Sequence, residues 1–491
     1  MTALLQVLPH YTMIKFKRKI SLFKRKRGNY RRKEVFNYIK NGLRNATTHG
    51  LSYLVNDRIY LFERIFWLFS FIVALALIFL LLIAQYQRFI EAPTVVSVDM
   101  DYFDWNISFP AITLCPLYKV NIPTYKEVIR KNNSPSDLAS EGYLWAIIHT
   151  NIQSLEYVKM DVADEVVTVY KPEEYAELSA AVFRSFEFNT IEAMVTKINH
   201  PVTITSAMTE MGMCHVLNSN IAVYDQPSYS TLKIVWKSSS PKYVKNNIEL
   251  SIYDRDFFLE ITNYAKVYKV YIHGPDEVIT GTTSSFTFDV EGCMSFGLTV
   301  WTTRISDELR DMPLRIRKCR FIDEPISERY PIYSYSHCLL ECRIMLVNRL
   351  CGCVPHFYKT LPHERICHIR ELKCVLHYLK DIVTLAPAEA PLELRNTQGL
   401  PTSSRDCGCL STCELDQYHK DREDYMSQDS YVLEIRITSF PKVRVIRDII
   451  FNFYDIFLKT GGVINLCIGC SIISLIECLV IFLKICIYVL K

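Results

Sequence analysis

Between Arg64 and Arg88 the sequence runs for 23 residues, Ile65 to Gln87, without a charge, and between Lys459 and Lys484 for 24 more, Thr460 to Leu483, with Glu477 as the one charged side chain. A hydrocarbon layer is crossed by roughly 20 apolar residues that satisfy their own backbone as a helix. The pattern therefore predicts two transmembrane helices, 65–87 and 455–483, near the two ends of a 491-residue chain. A carboxylate at membrane depth is costly, so Glu477 is not expected to face lipid. The apolar ALLQVL near the N-terminus precedes a basic cluster instead of following one, and it is too short for a cleaved signal peptide.

Charge sets the orientation. Residues 1–64 hold 15 Lys and Arg against Glu34, Asp57 and Glu63, a balance of +12 in a chain whose total is +4, which leaves −8 for the rest. The positive-inside bias places 1–64 in the cytoplasm, returns a short 484–491 tail to the same side, and leaves 88–454 outside. The basic cluster Lys15 to Lys33 reads as attraction to anionic lipid of the bilayer. Nucleic acid is not an expected partner, because no aromatic-interleaved binding module follows the cluster.

Cysteine placement agrees. Of 17 cysteines, thirteen lie between the two apolar stretches, none lies in 1–64, and Cys467, Cys470, Cys478 and Cys486 lie in or just after the second stretch. This is the distribution of a disulfide-forming compartment. Ten crowd into Cys319 to Cys413. Cys338 and Cys342 are four apart in SHCLLECRIML, on one face of an expected helix at 334–350, and Cys407 and Cys409 share one side of an extended CGC, so the latter are candidates to bridge both. The alternative is a zinc site built from these cysteines with His356, His363 or His368.

The region 88–454 exceeds one typical core and is expected to form subdomains. Strands are predicted at 231–237, 248–253, 265–274, 284–290 and 431–438 from alternation and β-branched or aromatic content, with a helix at 134–155. The Pro-rich stretch between Cys374 and Cys407 reads as an exposed spacer. Asn106 and Asn132 head outward glycosylation sequons.

No nucleophile elbow, HExxH helix or phosphate-cradling glycine loop occurs in a suitable context, so an enzyme is not expected. The second apolar stretch carries more chemistry. KTGGVINLCIGCSIISLIE holds Gly461, Gly462 and Gly469 among small and polar side chains that a lipid-facing helix does not need. One reading is a close helix-packing seam. The sharper reading is a pore, in which Gly469, Cys470 and Ser471 unwind the helix so that carbonyls and a hydroxyl face water. A chain with two spans cannot enclose a pore alone, so this reading requires an oligomer.

The sequence resembles the degenerin and epithelial sodium channel family, and within it the insect pickpocket-type subunits. His49-Gly50 in TTHG, FPAITLC (109–115), TEMGMC with Glu210, Gly212 and Cys214, CGCVPHFY (351–358), CGCLSTC (407–413) and GGVINLCIGCSIISLIE (461–477) match its motifs in order along nearly the whole chain. The resemblance implies an α+β membrane protein: two transmembrane helices flank a large disulfide-rich extracellular domain with a β-sheet palm, a finger, ball and knuckle, and a helical, Cys-rich thumb at 319–413. It further implies a homo- or heterotrimeric channel with related subunits, a sensory role, sodium as the permeant ion with no cofactor, and an extracellular ligand or mechanical tether as stimulus. Gly469, Cys470 and Ser471 would be the selectivity filter, and His49 and Gly50 a re-entrant gating motif that supports it.

The same resemblance implies bridges Cys115 to Cys214, Cys319 to Cys413, Cys338 to Cys409, Cys342 to Cys407, Cys351 to Cys374 and Cys353 to Cys367, leaving Cys293 over. Asn465 stands at a position tied to amiloride block where the family usually has Gly or Ser, and Leu458 stands at the degenerin position, where small residues are common. Asp455 is placed to enrich cations at the outer mouth or to be a solvated helix-start charge, and Glu477 to be a structural partner between pore helices or an ion site. The second function class compatible with these departures is a non-conducting partner subunit or cell-surface receptor.

Overall fold

A computed structural model describes residues 36–37, 39–45, 47–91, 94–131, 138–158, 160, 170–186, 191–195, 198–228, 243–254, 257–385, 407–449 and 453–490. The strand expected at 231–237 and the sequon at Asn132 lie outside them. The chain divides into two compact units, 1–95 with 449–491, and 96–448. Its helices of more than ten residues are α1 (Leu61–Glu91), α2 (Leu138–His149), α3 (Tyr335–Cys351), α4 (Phe453–Ile468) and α5 (Ile472–Leu490).

In the first unit α1 extends the expected 65–87 span by four residues at each end, and among the described residues it is the one helix that by itself is long and apolar enough to cross a membrane. Over the expected second span, 455–483, the helix is interrupted between Ile468 and Ile472. Tyr454–Ile468 and Ile472–Lys484 meet at an angle of 77° and satisfy the length and composition of one span only as a bent pair. Helix continues to Leu490, through most of the expected 484–491 tail.

The larger unit is built on strands β1 (Thr94–Asp99), β2 (Asn106–Ser108), β3 (Ala111–Pro116), β4 (Ile191–Val195), β5 (Ile198–Asn199), β6 (Ile204–Thr209), β7 (Gly212–Leu217), β8 (Glu249–Ser251), β9 (Phe258–Thr262), β10 (Tyr268–His273), β11 (Phe286–Phe288), β12 (Gly292–Ile305), β13 (Leu415–Met426), β14 (Tyr431–Ser439) and β15 (Arg444–Ile449). The large sheet runs β1-β15-β12-β14-β9-β4-β5, with β13 also on β12. Strand β12 pairs antiparallel with β13 along one edge, from Cys293 opposite Met426 to Thr303 opposite Leu415. Two parallel partners share its remaining length, β14 from Gly292 opposite Tyr431 and β15 from Thr302 opposite Arg444, with a register shift between Leu298 and Thr299.

A five-stranded sheet, β11-β10-β3-β7-β6, has β3 and β7 buried throughout. Phe109, Leu114, Leu259, Phe296, Leu298 and Ile435 merge residues around both sheets into one core. A second core packs Leu340, Ile344 and Val347, one stripe of α3, against Leu144 and Ile147 of α2.

Six disulfides staple this unit: Cys115–Cys214, Cys319–Cys413, Cys338–Cys409, Cys342–Cys407, Cys351–Cys374 and Cys353–Cys367. These are the pairs the family resemblance implies. They engage every cysteine that the zinc alternative would need, and Cys293 is free. The pair Cys115 and Cys214 lies one step beyond Leu114 opposite His215, so it locks the ladder of β3 and β7. Asn106 lies exposed on β2.

The turn joining β6 to β7 carries Glu210, 1% exposed. Its carboxylate accepts from Arg343 of α3 at 2.5 Å and from the Tyr358 hydroxyl at 2.6 Å, and it also accepts the Gly281 amide. Arg343 donates onward to the Val383 carbonyl at 3.0 Å. A second buried guanidinium, Arg329, meets Glu341 and Glu364, each at 2.6 Å. Beneath the same turn, Lys119 is fully buried and donates to the Met211 carbonyl; burial pulls its pKa down from 10.5 to about 7.

Two outcomes follow. Removing one partner of a buried ion pair costs roughly 3–5 kcal/mol because the other is stranded. Arg343→Met is therefore expected to lower the thermal midpoint of the purified protein sharply, and the double change with Glu210→Gln to recover part of the loss. For Lys119, the unfolded chain holds a proton that the folded chain has released between pH 7 and 10.5, so stability rises with pH there, by up to about 1.4 kcal/mol per unit. Unfolding midpoints from pH 7 to 9 should climb in the wild type and climb less in Lys119→Met.

Candidate functional site

The break between α4 and α5 is where the second apolar stretch departs from a plain helix. Asp455 lies in the first turn of α4 and Leu458 is largely exposed. At the far end the amide of Gly469 donates to the Asn465 carbonyl at 2.8 Å, the last helical bond before Gly469 turns left-handed at φ +63°. A glycine in that conformation stops a helix with no Cβ penalty. The next helix starts on a serine cap: Ser474 N donates to Ser471 Oγ and Ser471 N to Ser474 Oγ, both at 3.3 Å. This reciprocal pattern is a capping box with Ser in place of the usual Glu or Gln. Among the described residues the Gly469 and Cys470 carbonyls accept no hydrogen bond, whereas the Ser471 carbonyl takes the Leu475 amide at 3.1 Å.

The N-terminal segment braces this break. His49 N donates to the Ile468 carbonyl at 3.0 Å, satisfying one acceptor that the helix end releases. A Cβ on Gly469 would fall inside the His49 ring, so glycine is required there for close approach as well as for its backbone angle. The Thr47 hydroxyl donates to Glu477 Oε2 at 2.9 Å and lies 2.7 Å from Ser474 Oγ, and Thr47 N also points at Glu477, at 3.4 Å. Thus the partner of Glu477 within the chain is the segment before His49. Gly50, at φ +88°, starts the short helix Leu51–Val55, and Tyr53 stacks on Trp67 of α1 with ring centres 4.5 Å apart.

The structure therefore brings together His49, Gly50, Gly469, Cys470, Ser471 and Glu477, while Asp455 and Leu458 lie along α4 outside this cluster and Asn465 touches it through its carbonyl. Sequence reasoning missed Thr47 and Ser474. Ser474 had a signal, three residues after Ser471 at a helix start; Thr47 had none beyond its place in the TTHG motif.

Chemically the arrangement offers two unpartnered carbonyls and a serine hydroxyl on a segment held by hydrogen bonds from elsewhere in the chain. Unwound backbone at membrane depth is tolerated where it lines a water-filled cavity, and rings of such carbonyls coordinate dehydrated cations. Groups of three or more His, Cys, Asp or Glu able to hold a metal do not occur among the described residues.

Comparison with known proteins bears on the same segment. The family model described as amiloride-sensitive sodium channel matches residues 43–481, from before the brace to beyond Glu477. Pickpocket protein 28 of Drosophila melanogaster is 22% identical over 485 residues, covering 89% of this chain and 76% of that protein. Pickpocket protein 11 of the same fly is 22% identical over 226 residues, 43% of this chain and 41% of its own length. Acid-sensing ion channel 4-B of Danio rerio is 24% identical over 192 residues, 38% of this chain and 34% of that protein. The chain spans less than half the length of pickpocket protein 11 and of the Drosophila Nach sodium channel proteins it matches. With the family model covering nearly the whole sequence, the chain belongs to the amiloride-sensitive sodium channel family, the degenerin and epithelial sodium channel group, whose members are ion channels and not enzymes.

Proposed function

We propose that this chain is a subunit of a trimeric, sodium-selective channel of the plasma membrane, with both termini cytoplasmic and the disulfide-stapled unit outside. The observation that carries the reading is the break at Gly469 to Ser471, with two carbonyls open and the backbone braced by His49 and Thr47. Three copies around an axis would present those carbonyls to the permeant ion; sodium is the expected one, and no further cofactor is needed. A side chain at Gly461 or Gly462 would meet nothing within 4 Å, and Leu458 and Leu466 are exposed, so α4 keeps a face for neighbouring subunits. Amiloride acts near Asn465 in this reading. Asp455 enriches cations at the entrance, and Glu477 holds the re-entrant segment in place.

Gating begins in the outer unit. An extracellular stimulus moves α3 and the bridges around it against the large sheet, and β14 carries the movement through residues 440–457 into α4. Asn106 is exposed and accessible to a glycan in this topology.

Whole-cell recording of the chain expressed alone, with external sodium exchanged for potassium, tests the reading. A sodium-selective current is expected, and Ser471→Phe should abolish it or alter its selectivity while surface protein persists. Surface protein without current in the wild type would favour the partner-subunit class instead. Gly469→Ala should reduce the current about tenfold or more, since a side chain there must displace His49. Thr47→Val and Glu477→Gln are expected to change gating alike and, because they break one contact, to be non-additive when combined.

A further inference from the structure

A cavity of about 660 Å³ opens in the larger unit beside the segment that follows β12. Four arginines line it: Arg304 on β12, then Arg310, Arg317 and Arg320. Three are matched within the protein, Arg304 by Asp416 at 2.7 Å, Arg310 by Glu414 and Arg317 by Glu324. Arg320 makes no close ion pair of its own among the described residues; the Glu324 carboxylate, held by Arg317, acts on it only at longer range. Its Nη1 reaches only the Glu324 carbonyl at 3.4 Å, and its guanidinium lies 5.6 Å from the centre of the Tyr333 ring. The Nε groups of Arg317 and Arg320 are buried without an acceptor, and Arg317 is 5% exposed. Both Nε groups are closed off from solvent, so what Arg320, half-buried in the lining, offers an occupant is its Nη groups.

Another part of the lining is acidic. Asp276 and Glu277 lie side by side on the loop after β10. Asp276 is held by the Asn220 amide and the Tyr243 hydroxyl, each at 2.9 Å. Lys245, which also lines the cavity, is taken by Glu249. Burial raises the pKa of Asp276 above its ordinary value, against the opposing pull of Lys245, and that of Glu277 to about 7, against a hydrogen bond from Ser336. Between the charged regions lies Phe321, its ring flanked by the guanidiniums of Arg310 and Arg317 at 5.0 and 4.7 Å, with Leu415 also in the lining.

We propose that this cavity binds a small zwitterion of the free amino acid class, its carboxylate on the Nη groups of Arg320 and its ammonium on Asp276 and Glu277. A simple anion would leave the two acids unanswered, and a simple cation would leave the guanidinium donors unanswered; a zwitterion satisfies both without adding net charge. A guanidinium fork suits a carboxylate, and the volume lies within the roughly 300–1,000 Å³ of small-molecule sites. An apolar side chain finds Phe321 and Leu415. The inference stands apart from ion conduction, since every residue it uses belongs to the larger unit. An occupant would tie the 317–320 segment, stapled by Cys319–Cys413 to the start of β13, to the 276–277 loop of the five-stranded sheet.

Calorimetric titration of the full-length protein in detergent micelles with L-leucine tests this, beside 4-methylpentanoate and isoamylamine, which each lack one of the two charges. Leucine is expected to bind and each analogue to bind about tenfold more weakly or worse. Arg320→Ala and Asp276→Asn should each weaken leucine to a similar extent, with the thermal midpoint of the unliganded protein within a few degrees of wild type; Arg320→Lys, which keeps the charge, should retain part of the affinity. The proposal is overturned if 4-methylpentanoate binds as well as leucine, if Arg320→Ala folds and binds leucine as the wild type does, or if leucine gives no binding at millimolar concentration.

Discussion

One buried carboxylate, Glu210, fixes how the helical layer of the larger unit sits on its strands. It emerges from the β6 to β7 turn with no exposure to spend and satisfies a guanidinium on α3, a phenol from the segment after α3, and a backbone amide from the loop after β10. Ionic groups withdrawn from water are tolerable only with full complements of partners, so these elements must arrive together or not at all. The bridges from Cys338 and Cys342 to the CGC segment act on the same helix, limiting the orientations from which Arg343 reaches its acceptor. The adjoining Gly212, at φ +75°, lets Lys119 press against the turn from below its backbone.

The smaller unit obeys the same accounting. An interrupted helix must find partners for the amides and carbonyls it releases. Here Ser471 and Ser474 satisfy the amides at the restart, and His49 takes the Ile468 carbonyl. What is left open at Gly469 and Cys470 is a small, defined set of oxygens. Glu477, costly in an apolar setting, is secured by Thr47 through both its hydroxyl and its amide. The brace and the break are therefore one construction, made from segments more than four hundred residues apart in sequence.

Much of this was legible before any coordinates. Uncharged length marks α1 without ambiguity, and alternation finds β14 to within a residue and the middles of β8, β10 and β11, whose expected ends overshoot because period-two patterns continue into loops. The expected helix at 134–155 is ordered as Leu138–His149, and its tail turns instead at Asn151 to Ser154, where the Asn side chain captures two amides. Strand β12 escaped notice: GCMSFGLTVWTTRI opens with two glycines among its first six residues and alternates poorly, and only its three neighbours make it the spine of the sheet. Gly469 is readable as a breaker in an apolar run. The partners of that break are not, because a hydrogen bond between Thr47 and Glu477 leaves no periodic trace in either segment.

Strand β12 also limits how the large sheet can deform. On one edge it carries β14 and then β15 end to end, both parallel to it, with only four residues joining them and a register step between. A strand displaced along its neighbour by a single residue exchanges its inward and outward faces, so intermediate positions are closed. Leu433 and Ile435 on β14 are fully buried and forbid that exchange. The sheet is thus closed to sliding along β12: a pull on β14 or β15 moves the three strands as one ribbon or breaks their pairing outright.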